Sequence, residues 1–251
     1  MEKVNLAGKT ALVTGATSGL GQRFARVLAD HGASVAIAGR RVERLQVLAA
    51  ELGAAGHKCH AVALDVTEPE AFAPALDDIA RALGPVDILV NNAGMNVEGR
   101  AVDVTPDDYD RIMGTNVRGP FFLATEVARR MLARKAEGRI INIASIGAFK
   151  VLPGLVTYCM SKAAVAMMTK GLAREWARHG INVNAICPGY IETEINADWF
   201  ATDGGRKQVA TFPRRRLGNP DDLDGMLLLL ASEASRLITG TLMTVDDGQS
   251  L

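Results

Sequence analysis

Three cysteines, four histidines and no strongly apolar run longer than the six residues from Met226 to Ala231 leave several function classes without support in this 251-residue chain. Cys59, Cys159 and Cys187 are odd in number and far apart, with no CxxC pair. They are therefore expected to be reduced, buried, small apolar residues rather than a disulfide framework. His31, His57, His60 and His179 form no HExxH or similar cluster, so no metal is expected. The apolar run is far short of the ~20 residues that span a bilayer, and the opening MEKVNLAGKT has no secretory apolar stretch. A cytoplasmic location and no membrane partner are expected. Net charge is also lacking: Lys plus Arg and Asp plus Glu are 28 each. No global field favours nucleic acid or a polyanion, so any phosphate recognition must be local. Ser/Pro linkers, repeats and low-complexity tracts are missing too.

What the chain does have is 48% hydrophobic and 22% charged residues, the balance of a globular protein with a sizeable core. Short apolar runs alternate with helical patterns throughout: TALVT (10–14), SVAIA (34–38), HAVAL (60–64), VDILV (86–90), RIINIA (139–144), INVNAI (181–186) and TLMTV (241–245). Runs that are apolar continuously, rather than at alternate positions, fit strands covered on both faces. The pattern predicts one α/β domain over 1–251, a Rossmann-type doubly wound, seven-stranded parallel sheet with helices on both faces. Residues 190–219, rich in Gly, Pro, Trp and Phe, break the rhythm and read as a lid over the ligand crevice.

The first strand runs into TGATSGLGQRFARVLA. Gly15 would permit the tight turn, Gly19 the approach of backbone to a pyrophosphate, and Gly21 close helix packing, with Thr17, Ser18 and Leu20 beside them. The GxxxGxG spacing is one residue longer than the GxGxxG fingerprint. At the end of the second strand an acid would accept hydrogen bonds from a ribose 2′-hydroxyl, but Gly39 stands there, followed by Arg40 and Arg41. A basic pair suits a 2′-phosphate, so NADP(H) is expected over NAD(H).

Tyr158 and Lys162 lie one turn apart in a helical stretch running from Val156 to Arg178. A tyrosine titrating near neutrality instead of near ~10 needs ~4 kcal/mol of phenolate stabilisation, which an ammonium and an oxidised nicotinamide could supply. Alone, such a pair is common on helix surfaces. Its companions are not: together with TGATSGLG, NNAG at 91–94, Asn116 in GTNVRG, Ser145 in NIASIG and PGYIET at 188–193, YCMSK makes the whole chain resemble the short-chain dehydrogenase/reductase family. Six motifs in order are far more specific than any one.

That resemblance implies a ketone–secondary alcohol oxidoreductase. Tyr158 would be the general acid and base. Lys162 would lower its pKa and bind the nicotinamide ribose, Ser145 would hold the substrate oxygen, and Asn116 would hold a water that resupplies protons. Asp65, followed by Val66, would meet the adenine edge, a helix-cap role being the alternative. Asn91, Asn92, Ala93 and Gly94 would border the ribose and support the central strand. Thr193 and the backbone at Pro188, Gly189 and Ile191 would face the carboxamide.

Met95, Ile146, Val151, Leu152, Tyr190, Trp199, Phe200 and Phe212 are the expected pocket walls. Such a wall favours an aliphatic ketone or a 3-oxoacyl thioester, whose carrier could meet Arg214, Arg215 and Arg216. A sugar or polyol (gluconate-type) dehydrogenase is the alternative, and a non-catalytic nucleotide-binding regulator the reading from another class. Family likeness further implies a homotetramer built on the Tyr158 helix and the helix at about 119–135. The usual VDGG near the C-terminus is here Val245-Asp246-Asp247-Gly248, which puts the packing of that end in doubt.

Overall fold

The computed structural model describes residues 4–194 and 196–251. Seven strands form one sheet: β1 (Thr10–Thr14), β2 (Ser34–Gly39), β3 (Cys59–Ala63), β4 (Ile88–Asn91), β5 (Gly138–Ile143), β6 (Ile181–Pro188) and β7 (Leu242–Val245). Their spatial order is β3-β2-β1-β4-β5-β6-β7, and every neighbouring pair is parallel. The helices between them are α1 (Gly19–Asp30), α2 (Val42–Ala54), α3 (Phe72–Leu83), α4 (Pro106–Met113), α5 (Gly119–Ala133), α6 (Val156–Trp176), α7 (Ala197–Phe200), α8 (Asp203–Ala210) and α9 (Asp224–Ala231). The expected α/β class and strand count are thus observed. No helix among the described residues is long and apolar enough to cross a membrane.

Alternate residues of each strand feed two different cores, and this is why the strands are apolar without a break. In β1, Ala11 and Val13 pack with Phe24 and Leu28 of α1, Leu45 and Leu48 of α2, and Leu227 and Leu230 of α9. Leu12, between them, joins Phe72, Leu76 and Ile79 of α3, Leu123 and Val127 of α5, and Leu172 of α6 on the other face. In α3, Phe72, Ala75, Leu76 and Ile79 fall at the i, i+3, i+4, i+7 positions of one buried stripe. The helix stops at Gly84, whose φ of 99° a side chain would resist.

The order reverses between β2 and β4, on either side of β1, so the loops leaving β1 and β4 diverge and open a crevice at the C-terminal strand edge. The helix carrying Tyr158 ends at Trp176, and residues 177–179 make a tighter 3₁₀ turn closed by Gly180 in the left-handed region at φ 73°. The 190–219 segment contains α7 and α8, and its ends meet where Gly218 N–H donates to Tyr190 O (3.0 Å) and Glu192 N–H to Gly218 O (2.9 Å).

A buried polar chain crosses the centre of the sheet. Asn91 Nδ2 donates to Pro120 O (3.2 Å) and to Asn142 Oδ1 (3.0 Å), Asn142 Nδ2 donates to Thr169 Oγ1 (2.9 Å), and Thr169 Oγ1 donates to Val165 O (2.8 Å). This links α5, β4, β5 and α6 through groups that would each be costly to leave unpaired. Asn142→Ala removes the middle of that chain. It is expected to cost about 2 kcal/mol, read as a lower urea midpoint at unchanged slope; an unchanged midpoint would show that the chain contributes nothing.

Candidate active site

The turn between β1 and α1 is shaped by two steric demands. Gly15 sits at φ 66°, and a Cβ there would lie 2.9 Å from Ala93 Cα. A Cβ on Gly21 would lie 2.3 Å from Gly15 O, so α1 can rest on its own entry turn only with glycine there. Gly19 needs its backbone conformation, φ 52°, more than it needs space. The segment after β4 is pinned to this turn: Thr14 Oγ1 accepts from the N–H groups of Asn92 (3.0 Å) and Ala93 (3.1 Å), and Asn92 Nδ2 donates to Thr14 O (3.0 Å).

A cavity of about 810 Å³ runs along the strand edge from this turn to the lid, within the size range of ligand sites. At its outer end Arg41 donates to Thr17 Oγ1 (2.6 Å) and Ser18 Oγ (2.7 Å). Arg40 is 3.7 Å from Asp65 and its side chain is 77% exposed. Asp65 Oδ1 accepts from the Thr67 N–H (2.9 Å) and O–H (2.8 Å), which is the capping alternative. Burial pushes the Asp65 carboxyl up, but those two bonds and the Arg40 charge outweigh it and hold the group below its ordinary value. Leu20, Val66, Gly94, Pro188, Gly189, Ile191 and Thr193 also line the cavity. The cradle of glycines, hydroxyls and guanidinium groups at a helix N-terminus fits a dinucleotide phosphate.

At the inner end Ser145, Tyr158 and Lys162 come together. Ser145 leaves β5 in extended backbone and its Oγ accepts from the Gly147 N–H (3.0 Å). Lys162 is buried; its Nζ donates to Ile143 O (2.8 Å) and lies 5.5 Å from the centre of the Tyr158 ring. Burial pulls its pKa down to about 8. Burial likewise raises the Tyr158 phenol, and the hydrogen bond to Ser145 opposes this without overcoming it. Both groups share one desolvated pocket, and the ammonium is committed to a backbone carbonyl.

Asn116 occupies a π-helical turn over Gly114–Arg118 and is buried outside the cavity wall. Its Nδ2 donates to Met95 O (2.8 Å) and Ser161 Oγ (3.0 Å), and its Oδ1 accepts from the Met95 N–H (2.9 Å). The side chain is a clamp on the loop after β4. A Cβ added to Gly94 would be 3.4 Å from Asn116 Oδ1 and 3.6 Å from Lys162 Nζ, so the two groups are neighbours.

Of the expected pocket walls, Met95, Ile146, Leu152, Tyr190, Trp199 and Phe200 line the cavity. Val151 does not: it is 79% exposed on the outer side of its loop. Phe212 stacks behind Tyr190, ring centres 5.2 Å apart, and supports the wall without forming it. Reading the sequence missed Asn96 and Glu98 in the β4 exit loop and Gln208 in α8, all of which line the cavity. The first two follow the NNAG motif within four residues, a signal that was available. Gln208 sits in no motif; Trp199 Nε1 donates to its Oε1 (2.8 Å). Arg214 and Arg216 lie away from the cavity on Asp247, at 3.1 and 2.7 Å.

Comparison with known proteins gives a consistent set. The sequence pattern of a family described as short chain dehydrogenase matches residues 9–204. The chain is 38% identical to gluconate 5-dehydrogenase of Gluconobacter oxydans (strain 621H) over 97% of its own length and 95% of that protein's. It is 38% identical to oxidoreductase UcpA of Escherichia coli (strain K12), covering 98% of this chain and 96% of that one. Among solved structures, a gluconate 5-dehydrogenase from Burkholderia cenocepacia J2315 in complex with NADP and tartrate superposes with a TM-score of 0.94 at 36% identity, covering 99% and 98% of the two chains.

The buried ammonium makes a pH-dependent contribution. Between its folded pKa of about 8 and the ordinary 10.5, the unfolded chain holds a proton that the folded protein has lost, so stability rises with pH across that window. Relative to Lys162→Met, the wild-type protein should gain about 2 kcal/mol between about pH 7.5 and about pH 9.5 in urea unfolding. Parallel pH profiles for the two proteins would mean that Lys162 is not desolvated as described.

Proposed function

The chain belongs to the short chain dehydrogenase family, and from that premise we propose that it is an NADP(H)-dependent dehydrogenase of polyhydroxylated secondary alcohols, the class that holds both the sugar acids of its gluconate 5-dehydrogenase relatives and neutral polyols. The observation that carries the reading is the convergence of Ser145, Tyr158 and Lys162 at the inner end of a cavity whose outer end holds Thr17, Ser18, Arg40 and Arg41. The polar groups Asn96, Glu98, Tyr190 and Gln208 on the substrate wall favour a polyhydroxylated substrate over an acyl chain. The thioester reading loses support, because Arg214, Arg215 and Arg216 do not line the cavity and two of them pair with Asp247.

When bound, the nicotinamide cofactor supplies the hydride and, in its oxidised form, a positive charge near the phenol. The chain's own residues do the rest. The Ser145 hydroxyl holds the substrate oxygen and stabilises charge developing there. Tyr158 gives a proton to that oxygen in reduction and takes it in oxidation. Lys162 supplies the positive charge beside the phenol, and Asn116 fixes the Met95 loop that lines the cavity. Reduction needs the protonated phenol and oxidation the phenolate, so oxidation gains as pH rises.

The preference for NADP(H) is supported from two sides. Arg40 and Arg41 flank the outer end, and Gly39 leaves no room for the acid that would bind a 2′-hydroxyl, since a Cβ there would lie 2.9 Å from Thr17 Cγ2. The Burkholderia enzyme was crystallised with NADP. A homotetramer on α5 and α6 is supported by the exposed apolar side chains there: Phe121, Phe122, Met160 and Met167.

The test is reduced-nicotinamide absorbance with NADP and NAD in parallel, against polyols and sugar acids in oxidation and acetoacetyl-CoA in reduction. NADP-linked oxidation is expected, with Tyr158→Phe at least ~10²-fold slower. Equal activity of Tyr158→Phe would sink the mechanism, and turnover of the thioester alone would sink the substrate reading. Light scattering on a sizing column should give four times 26.7 kDa; a monomer would refute the assembly.

A further inference from the structure

Within the sugar- and polyol-type reading just given, on which this step rests, the charges lining the cavity discriminate between two substrate classes that the reading leaves together. A sugar acid brings a carboxylate that needs a cation or a set of N–H donors; a neutral polyol brings hydroxyls only. Among the described residues that line the cavity, the cations are Arg40, Arg41 and Lys162. None is placed to meet a substrate carboxylate. Arg41 is bonded to Thr17 and Ser18, and Arg40 stands beside Asp65, both at the end away from Tyr158. Lys162 is buried and donates to the Ile143 carbonyl.

The neighbouring arginines do not line the cavity: Arg206 pairs with Asp203, Arg214 and Arg216 pair with Asp247, Arg215 is exposed between them, and Arg100, two residues beyond Glu98, pairs with Asp103. Of the acids that line the cavity, Asp65 stands beside Arg40 and Glu194 pairs with Arg44, which leaves Glu98, exposed in the exit loop of β4, as the charge on the substrate wall; its field reaches the Tyr190 phenol. Around it stand neutral groups that both donate and accept, Asn96, Tyr190 and Gln208, the last oriented by the Trp199 indole.

We infer that the substrate is a neutral polyhydroxy alcohol or its ketone rather than a sugar acid, and that Glu98 is a specificity-determining residue that accepts hydrogen bonds from substrate hydroxyls and repels a carboxylate. Rejection by a like charge is the repulsive half of specificity, and it needs no contact with the anion to act.

The experiment compares kcat/KM for NADP-linked oxidation of sorbitol and of gluconate by the wild-type enzyme and by Glu98→Arg. Fluorescence titration of NADPH on both proteins checks that the variant folds. The wild type is expected to favour sorbitol at least tenfold, and Glu98→Arg to move the ratio at least tenfold toward gluconate. A wild-type ratio at or below one, or a variant that leaves the ratio within twofold, overturns the inference while the sugar- or polyol-type reading stands. Turnover of acetoacetyl-CoA with neither sorbitol nor gluconate oxidised overturns that reading itself, and the inference with it.

Discussion

The ammonium of Lys162 is held 2.8 Å from the Ile143 carbonyl in a pocket that disfavours its charge. A buried amine at this depth persists only where the backbone supplies an acceptor and the surroundings cannot collapse onto it. Both conditions are met by the last residues of β5, which end two residues before Ser145. The same desolvation raises the Tyr158 phenol. The two groups are thus poised in opposite senses, an acid that resists ionising beside a base that readily gives up its proton, and environments that push partners apart in this way mark acid–base sites.

Holding that pair requires β5 and α6 to keep a fixed separation. The polar chain through Asn91, Asn142 and Thr169 does this where an apolar contact would tolerate sliding, because each amide is oriented by two partners at once. Asn116 serves the next layer: it ties Met95 to Ser161, whose hydroxyl donates to the Tyr158 carbonyl at 2.7 Å. A single side chain therefore couples the loop after β4 to the first turn of α6. The π-helical turn beneath it widens the helix enough to admit that amide.

The sheet was legible because strands buried on both faces read as unbroken apolar runs, and the cofactor turn because its glycines answer steric demands that no other residue meets. The reactive trio was legible as a set of motifs. Its electrostatics were not, since the direction of the Tyr158 shift depends on how deeply the pair is desolvated. Val151 was misplaced because hydrophobic character does not say on which side of a loop a side chain falls. Gln208 was invisible because its place in the cavity arises from the packing of α8 under Trp199, and Asp65 was ambiguous because one carboxylate oxygen caps Thr67 while the other faces Arg40.

The departure from VDGG at the C-terminal end has its own physical account. Asp247 adopts φ 54°, the region that glycine enters freely and other residues enter at a cost of roughly 1–2 kcal/mol. Aspartate is among the better tolerated, and here its two oxygens take up Arg214 and Arg216, one each. Exposed ion pairs are individually weak, but two arginines on one carboxylate hold a geometry that one would not. That geometry anchors the end of the 190–219 segment. Two residues on, Gln249 is buried and its Oε1 accepts the Tyr190 N–H at 2.6 Å, anchoring its start. Both ends of the segment are therefore fastened to the same short stretch, and the position of the Tyr190 ring in the cavity wall depends on residues that never touch the cavity.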